Sequence, residues 1–232
     1  MKISYTTLLA IVLFAACNKN NNADDIPVAL KPVVNVIDST ATYKITIEGI
    51  WQTPQHTIPA SNHFTNFIGM MHDTTSAIFK VNEPATLGVE NVAEVGNATE
   101  LIKEINSNIS GGRASGLFNI TLPNITGNGT AVLNVSVKHS LISFVSMIAP
   151  SPDWFVGLQN YNLVQNGNWV NDVSINAVGY DAGTEDGDVF GYNNPATNPQ
   201  QNIMYLTPAN ASVIANGNST VAAFVRVRFI KQ

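Results

Sequence analysis

Short runs of alternating apolar and polar residues, separated by clusters of Gly, Asn and Pro, constrain this chain more than any other feature. Tyr43-Lys44-Ile45-Thr46-Ile47-Glu48 alternates with the period of a strand that has one buried face. Asn119-Ile120-Thr121-Leu122 does the same, as do residues 131–138 less regularly and residues 171–178 through Val173, Ile175 and Ala177. Near the C-terminus Val225, Val227 and Phe229 fall on one side and Arg226 and Arg228 on the other. Leu141-Ile142-Ser143-Phe144-Val145-Ser146-Met147-Ile148 is apolar almost throughout, as a strand buried on both faces requires. Pro123-Asn124, Gly127-Asn128-Gly129 and Asn166-Gly167 supply turn chemistry between runs. Many short strands joined this way predict an all-β fold, an antiparallel sandwich.

One region breaks the pattern. From Pro84 to Ile105 the period is helical, with Leu87, Val89, Val92, Ala93 and Val95 as an apolar stripe and Gly96 as its stop. Asn97-Ala98-Thr99-Glu100 has capping-box spacing and starts a second helix with Leu101, Ile102 and Ile105 inward. The expected product is a short helical insertion packed on the sandwich.

The first residues read as a targeting segment. Met1-Lys2 is followed by an apolar run from Leu8 to Ala16, shorter than a bilayer span. Phe14-Ala15-Ala16-Cys17 has the pattern of a bacterial lipoprotein signal, and Cys17 is the single cysteine of the chain. Acylation at Cys17 would place several chains at one end, enough for stable anchoring. The reading is a signal peptide over residues 1–16, a polar tether over 17–40 and a folded domain over 41–232. It implies a cell-envelope location, as an outer-membrane lipoprotein facing the periplasm or the outside. Without a second cysteine no disulfide can form within the chain, so the core alone must hold the domain. A 45% hydrophobic content provides that core, and 12% charged residues suit an extracellular β protein. A net charge of −5 with no basic cluster argues against nucleic acid as a partner.

Two segments carry candidate chemistry: Ser151-Pro152-Asp153-Trp154-Phe155-Val156-Gly157-Leu158 and Tyr180-Asp181-Ala182-Gly183-Thr184-Glu185-Asp186-Gly187. Each sets a carboxylate at a turn beside Gly or Pro. Calcium takes six to eight oxygens, from carboxylates and backbone carbonyls. Acidic turns without an ion are the plainer reading of such residues taken alone. The second segment is no EF-hand: counted from Asp181, Asp186 stands where that loop needs Gly and Tyr192 where it needs Glu.

Several ordered blocks resemble the spondin N-terminal domain family, the extracellular module of F-spondin and mindin. They are His63-Phe64-Thr65-Asn66-Phe67-Ile68-Gly69 with His72, Ala85-Thr86-Leu87-Gly88-Val89 closing with Ala93-Glu94-Val95-Gly96, the segment from Ser143 to Gly157, Asp181-Ala182-Gly183-Thr184-Glu185, and Asn194-Pro195-Ala196-Thr197-Asn198-Pro199. The resemblance implies a Greek-key β-sandwich and a calcium ion held by the two signature loops. Carried onto this chain, the ligands are Asp153, Asp181 and Glu185, with the carbonyl of Val156 as a further oxygen and Asp186 in reserve. Glu185 stands where the family commonly has Asp, and the thrombospondin repeats of the animal members are absent.

The other motifs favour structure over chemistry. Trp154, Phe155, Trp51 and Trp169 read as core or rim aromatics. His63 and His72 could lie close together, but no third zinc ligand has suitable spacing. Gly112-Arg113-Ala114-Ser115-Gly116 lacks the spacing and context of a nucleophile elbow. The expectation is therefore a non-catalytic, lipid-anchored domain that binds an extracellular protein or glycan for adhesion or recognition. Phe190 and Tyr192 are expected as an exposed aromatic contact pair. The alternatives are an accessory glycan-binding module and, further off, a metal-assisted hydrolase.

Overall fold

A computed structural model describes residues 37–232; the signal and tether expected over residues 1–36 lie outside the described residues. The strands are β1 (Thr40–Gly49), β2 (His63–Phe64), β3 (Phe67–His72), β4 (Ala114–Ile120), β5 (Asn128–Ser136), β6 (Leu141–Ala149), β7 (Trp154–Asn162), β8 (Val164–Gln165), β9 (Asn168–Trp169), β10 (Asp172–Asp181), β11 (Met204–Tyr205) and β12 (Val225–Lys231). The helices are α1 (Leu87–Val95), α2 (Thr99–Ser110) and the single turn α3 (Ser212–Ala215). The fold is all-β with a short helical insertion, as the sequence pattern predicts.

The strands pair antiparallel along one path, β4-β3-β6-β7-β10-β12-β1-β5. β10 joins its halves: Asp172 to Ala177 pair with β12, and Val178 to Asp181 pair with β7. The connection from β3 to its neighbour β6 passes over β4 and β5, and β1 pairs with the last strand, β12. Such non-sequential neighbours are the mark of a Greek-key path.

Two buried clusters explain the patterns. The larger lies between the layers. Tyr43, Ile45 and Ile47 of β1 and Val225, Val227 and Phe229 of β12 join Phe67, Phe144, Trp154 and Val156 from the other half. The second lies on the opposite face of the β3–β6–β7 layer. There Ile68, Met70, Val145 and Phe155 meet Val89, Val92 and Ala93 of α1 and Leu101 and Ile105 of α2. β6 therefore has apolar cover on both sides, and every one of its residues is buried. β1 and β12 have such cover on one side only and keep a clean alternation. Successive residues Trp154 and Phe155 serve opposite clusters, so both are fully buried.

Differences from the sequence reading have local causes. β3 was not legible as a strand because all of its residues are buried, which removes any alternation. α1 buries a narrower stripe than expected: Gly88, Val89, Val92 and Ala93 are buried, while Leu87 and Val95 are 56% and 68% exposed. Gly88 supplies the close approach, since a Cβ there would lie 2.6 Å from Leu101 Cα. The capping box does not form: Asn97 Oδ1 accepts from the Thr99 backbone N–H at 3.0 Å, and Glu100 pairs with Lys103 instead. His63 and His72 are far apart, paired with opposite ends of β6 at Ala149 and Leu141. Among the described residues no helix is long and apolar enough to cross a membrane.

Candidate metal centre

Two carboxylates far apart in sequence are neighbours because of strand register. Asp181 pairs with Trp154, which places Asp153, the residue before Trp154, beside the end of β10. The Ala182 N–H donates to the Asp153 carbonyl at 3.1 Å and ties the two segments together. On the other side, the Trp154 N–H donates to Ser151 Oγ at 3.1 Å and shapes the turn before β7.

Asp153 is wholly buried. Its Oδ2 accepts from the Thr184 N–H at 2.7 Å, the Glu185 N–H at 3.1 Å and the Thr184 hydroxyl at 3.3 Å. Its Oδ1 is buried with no hydrogen-bond partner. Asp181 Oδ1 accepts from the Gly183 N–H at 2.9 Å. The 181–187 turn needs glycine at 183: φ is +71° and a Cβ would lie 2.6 Å from the Gln201 carbonyl oxygen. Beyond it, Asp186 N–H to Pro195 O and Thr197 N–H to Thr184 O close the loop on itself.

Electrostatically the site is one-sided. Burial, and secondarily the Asp153 charge, push the Asp181 carboxyl up to about 6. Burial also raises Asp153, against the lowering effect of the N–H groups it accepts. Glu185 is raised by burial, offset by Asn194, whose Nδ2 donates to Glu185 Oε2 at 3.4 Å. None of Asp153, Asp181 and Glu185 forms an ion pair within the described residues. Nor do any three His, Cys, Asp or Glu side chains in that region stand close enough to cage a metal unaided. The arrangement is thus a close carboxylate pair with Glu185 at its margin. An unpartnered buried carboxylate oxygen beside a second carboxylate fits a hard cation.

The Spondin_N family model matches residues 41–217 of this chain. The chain belongs to the spondin N-terminal domain family. Spondin-2 from Rattus norvegicus is 34% identical over 187 residues, which cover 76% of this chain and 56% of the relative. Human Spondin-2 is 33% identical over 187 residues, 76% of this chain and 55% of the relative. Spondin-1 from Gallus gallus is 31% identical over 177 residues, 72% of this chain and 22% of the relative. The chain thus spans about half the length of the Spondin-2 relatives it matches.

Not every expected site residue of this spondin domain reaches the carboxylate pair. Val156 sits within β7, opposite Ser146 of β6 and Gly179 of β10, inside the ladder rather than at the turn that carries Asp153. Asp186 is exposed and accepts from the Thr197 hydroxyl at 2.6 Å. Phe190 and Tyr192 are not an exposed pair. Phe190 is half-buried, folded back against Trp51 and Trp154 with ring centroids 6.3 and 5.9 Å away, and only Tyr192, 47% exposed, faces solvent. Two residues that the sequence reading passed over border the site. Thr184 gives both a backbone and a side-chain donor to Asp153. Glu94 of α1 lines a cavity of about 310 Å³ with Thr184 and Glu185. Glu94 stood in the Ala93-Glu94-Val95-Gly96 block that carries part of the family resemblance, but no site role was assigned to it there.

Proposed function

We propose that this spondin domain is a non-catalytic, calcium-stabilised adhesion or recognition module, displayed from the cell envelope by a lipid on Cys17. The observation that carries the calcium reading is Asp153 Oδ1, a fully buried carboxylate oxygen without a partner beside a second carboxylate. Asp153 and Asp181 would hold the ion, with Glu185 turned in from Asn194 and carbonyl or water oxygens completing the shell. Bound calcium supplies positive charge to a group of acidic side chains that otherwise repel one another. Asp153 would then cross-link the turn before β7 to the 182–185 backbone, which it already holds through two N–H donors.

Fixing that turn also fixes the long loop that follows it. Tyr192 stands on this loop with its ring half-exposed, and Phe190 anchors the loop to the core beneath. A rigid loop carrying one exposed aromatic suits contact with an extracellular protein or glycan. The test is binding of the purified domain to matrix-protein and glycan arrays, with calcium and with chelator. Calcium-dependent binding that Tyr192→Ala abolishes is the expected result. Capture by glycans alone would favour the accessory glycan-binding reading. Binding indifferent to chelator would remove calcium from the recognition step. The anchor is tested separately: Cys17→Ser should abolish acyl labelling and membrane partitioning, and full retention in membranes would overturn it.

A further inference from the structure

We propose that Glu94 is a further positioning residue of this cation site, through which the helical insertion senses whether calcium is bound. The inference rests on the calcium reading above.

Glu94 occupies the last turn of α1, and that turn contains no basic residue. A carboxylate there faces the negative end of the helix dipole, the unfavourable end for its charge. It is half-buried as well. Across the cavity stand Thr184 and Glu185, with Glu90 from the preceding turn of the same helix. The Thr184 hydroxyl lies 3.3 Å from Asp153 Oδ2, so a single side chain separates Glu94 from the buried carboxylate. Burial raises the Glu94 carboxyl, the Thr184 hydroxyl works against that rise, and the charges of Glu185, Glu90 and Asp153 add to it. Among the described residues, the ion pairs are Lys80–Glu83, Lys103–Glu100, Arg226–Glu48 and Arg228–Asp172, none of which involves these acids. Helix end, burial and like-charged neighbours oppose a charge at Glu94, and the Thr184 hydroxyl offsets them only in part. A cation bound at the wholly buried, unpartnered Asp153 oxygen answers all three.

Glu94 is also held in place. Glu104 of α2 accepts from the Gly88 N–H and the Thr86 hydroxyl, each at 2.8 Å, and so fixes the start of α1. At the other end Gly96 takes φ +67°, and its N–H donates to Val92 O at 3.0 Å. A Cβ at Gly96 would lie 2.4 Å from Thr65 Cγ2, so that end is pressed against the segment between β2 and β3. A helix clamped at both ends carries its last-turn carboxylate as a fixed charge. Calcium uptake is therefore felt by α1, and displacement of α1 is felt by the ion.

The experiment titrates calcium calorimetrically into the wild-type chain and Glu94→Gln, and follows amide hydrogen exchange in α1 with and without calcium. In wild type, calcium is expected to slow exchange in α1 as well as in the 181–187 turn. Glu94→Gln should bind calcium roughly tenfold more weakly. It should also lose the added protection of α1 and melt no lower than wild type without metal, because a repelled charge has been removed. Wild-type affinity in Glu94→Gln, or a lower metal-free melting temperature with affinity unchanged, would overturn the assignment and leave the Asp153–Asp181 site standing. No calcium uptake by the wild type would overturn both.

Discussion

Replacing Asp153 by Asn separates its hydrogen-bonding role from its charge. Asn keeps an oxygen for the Thr184 and Glu185 N–H groups, and its amide replaces the unpartnered Oδ1. The repulsion that helps raise Asp181 also disappears. In chelator, the variant should melt within about 2 °C of wild type, because the lost charge was itself costly to bury. Asp153→Ala instead strands both N–H donors, at about 1–3 kcal/mol each. For a domain of this size about 1 kcal/mol moves the melting temperature by roughly 2–4 °C, so the Ala variant should fall by several degrees. Calcium at about 100 times its dissociation constant adds roughly 2.7 kcal/mol to the wild type. On the same scale that is a rise of roughly 5–11 °C, and it should be absent from both variants. Thermal unfolding with chelator and with millimolar calcium reads all six values. If the Asn variant kept the full calcium shift, or melted as low as Ala in chelator, the role assigned to Asp153 would be wrong.

Three other perturbations follow from named contacts. The Asp181 carboxyl is raised from 3.8 to about 6, above its unfolded value. In metal-free protein its contribution is complete below about pH 4 and lost as pH rises through 6, whereas the calcium-induced gain should grow over the same interval; a pH series of melting curves with and without calcium checks both slopes. Phe190→Ala should cost about 2 kcal/mol in chemical unfolding by uncovering Trp51 and Trp154, and Tyr192→Ala less than about 0.5 kcal/mol. Glu104→Ala leaves the Gly88 N–H without its acceptor and should destabilise by about 1–2 kcal/mol, with faster hydrogen exchange in α1.

The parts of this molecule with one wet face were the parts legible in sequence. Tyr43, Ile45 and Ile47 alternate with Lys44, Thr46 and Glu48 because β1 has solvent behind it, and β12 reads clearly for the same reason. β6 was legible by the opposite sign, an unbroken apolar run wanting cover on both faces. β3 has the same double cover but is short and mixes Gly, Met and His with its apolar residues, so no period survives. The Gly96 stop was readable because its αL conformation has a residue signature. The exposure of Leu87 and Val95 was not, since it depends on Gly88 letting α2 come close.

The site divides similarly. Spacing alone could not place Asp153 beside Asp181; that requires the β7–β10 register, and in sequence only the family resemblance pointed to it. Val156 stands apart from the turn for a reason counting along the strand exposes, since it lies inside the ladder rather than before it. Phe190 looked exposed because Gly and Asn surround it, yet the loop folds it onto two tryptophans. Glu94 was hidden by its helix, where a half-buried last-turn carboxylate is indistinguishable in sequence from a solvated one.

Calcium content after equilibrium dialysis, measured for wild type and Asp153→Asn side by side, reaches the centre of this account. Wild-type protein should retain a stoichiometric, saturable amount that a chelator strips, and the Asn variant should retain none above buffer. Equal metal content in the two proteins, or none in either, would show that the buried oxygen of Asp153 is not waiting for a cation.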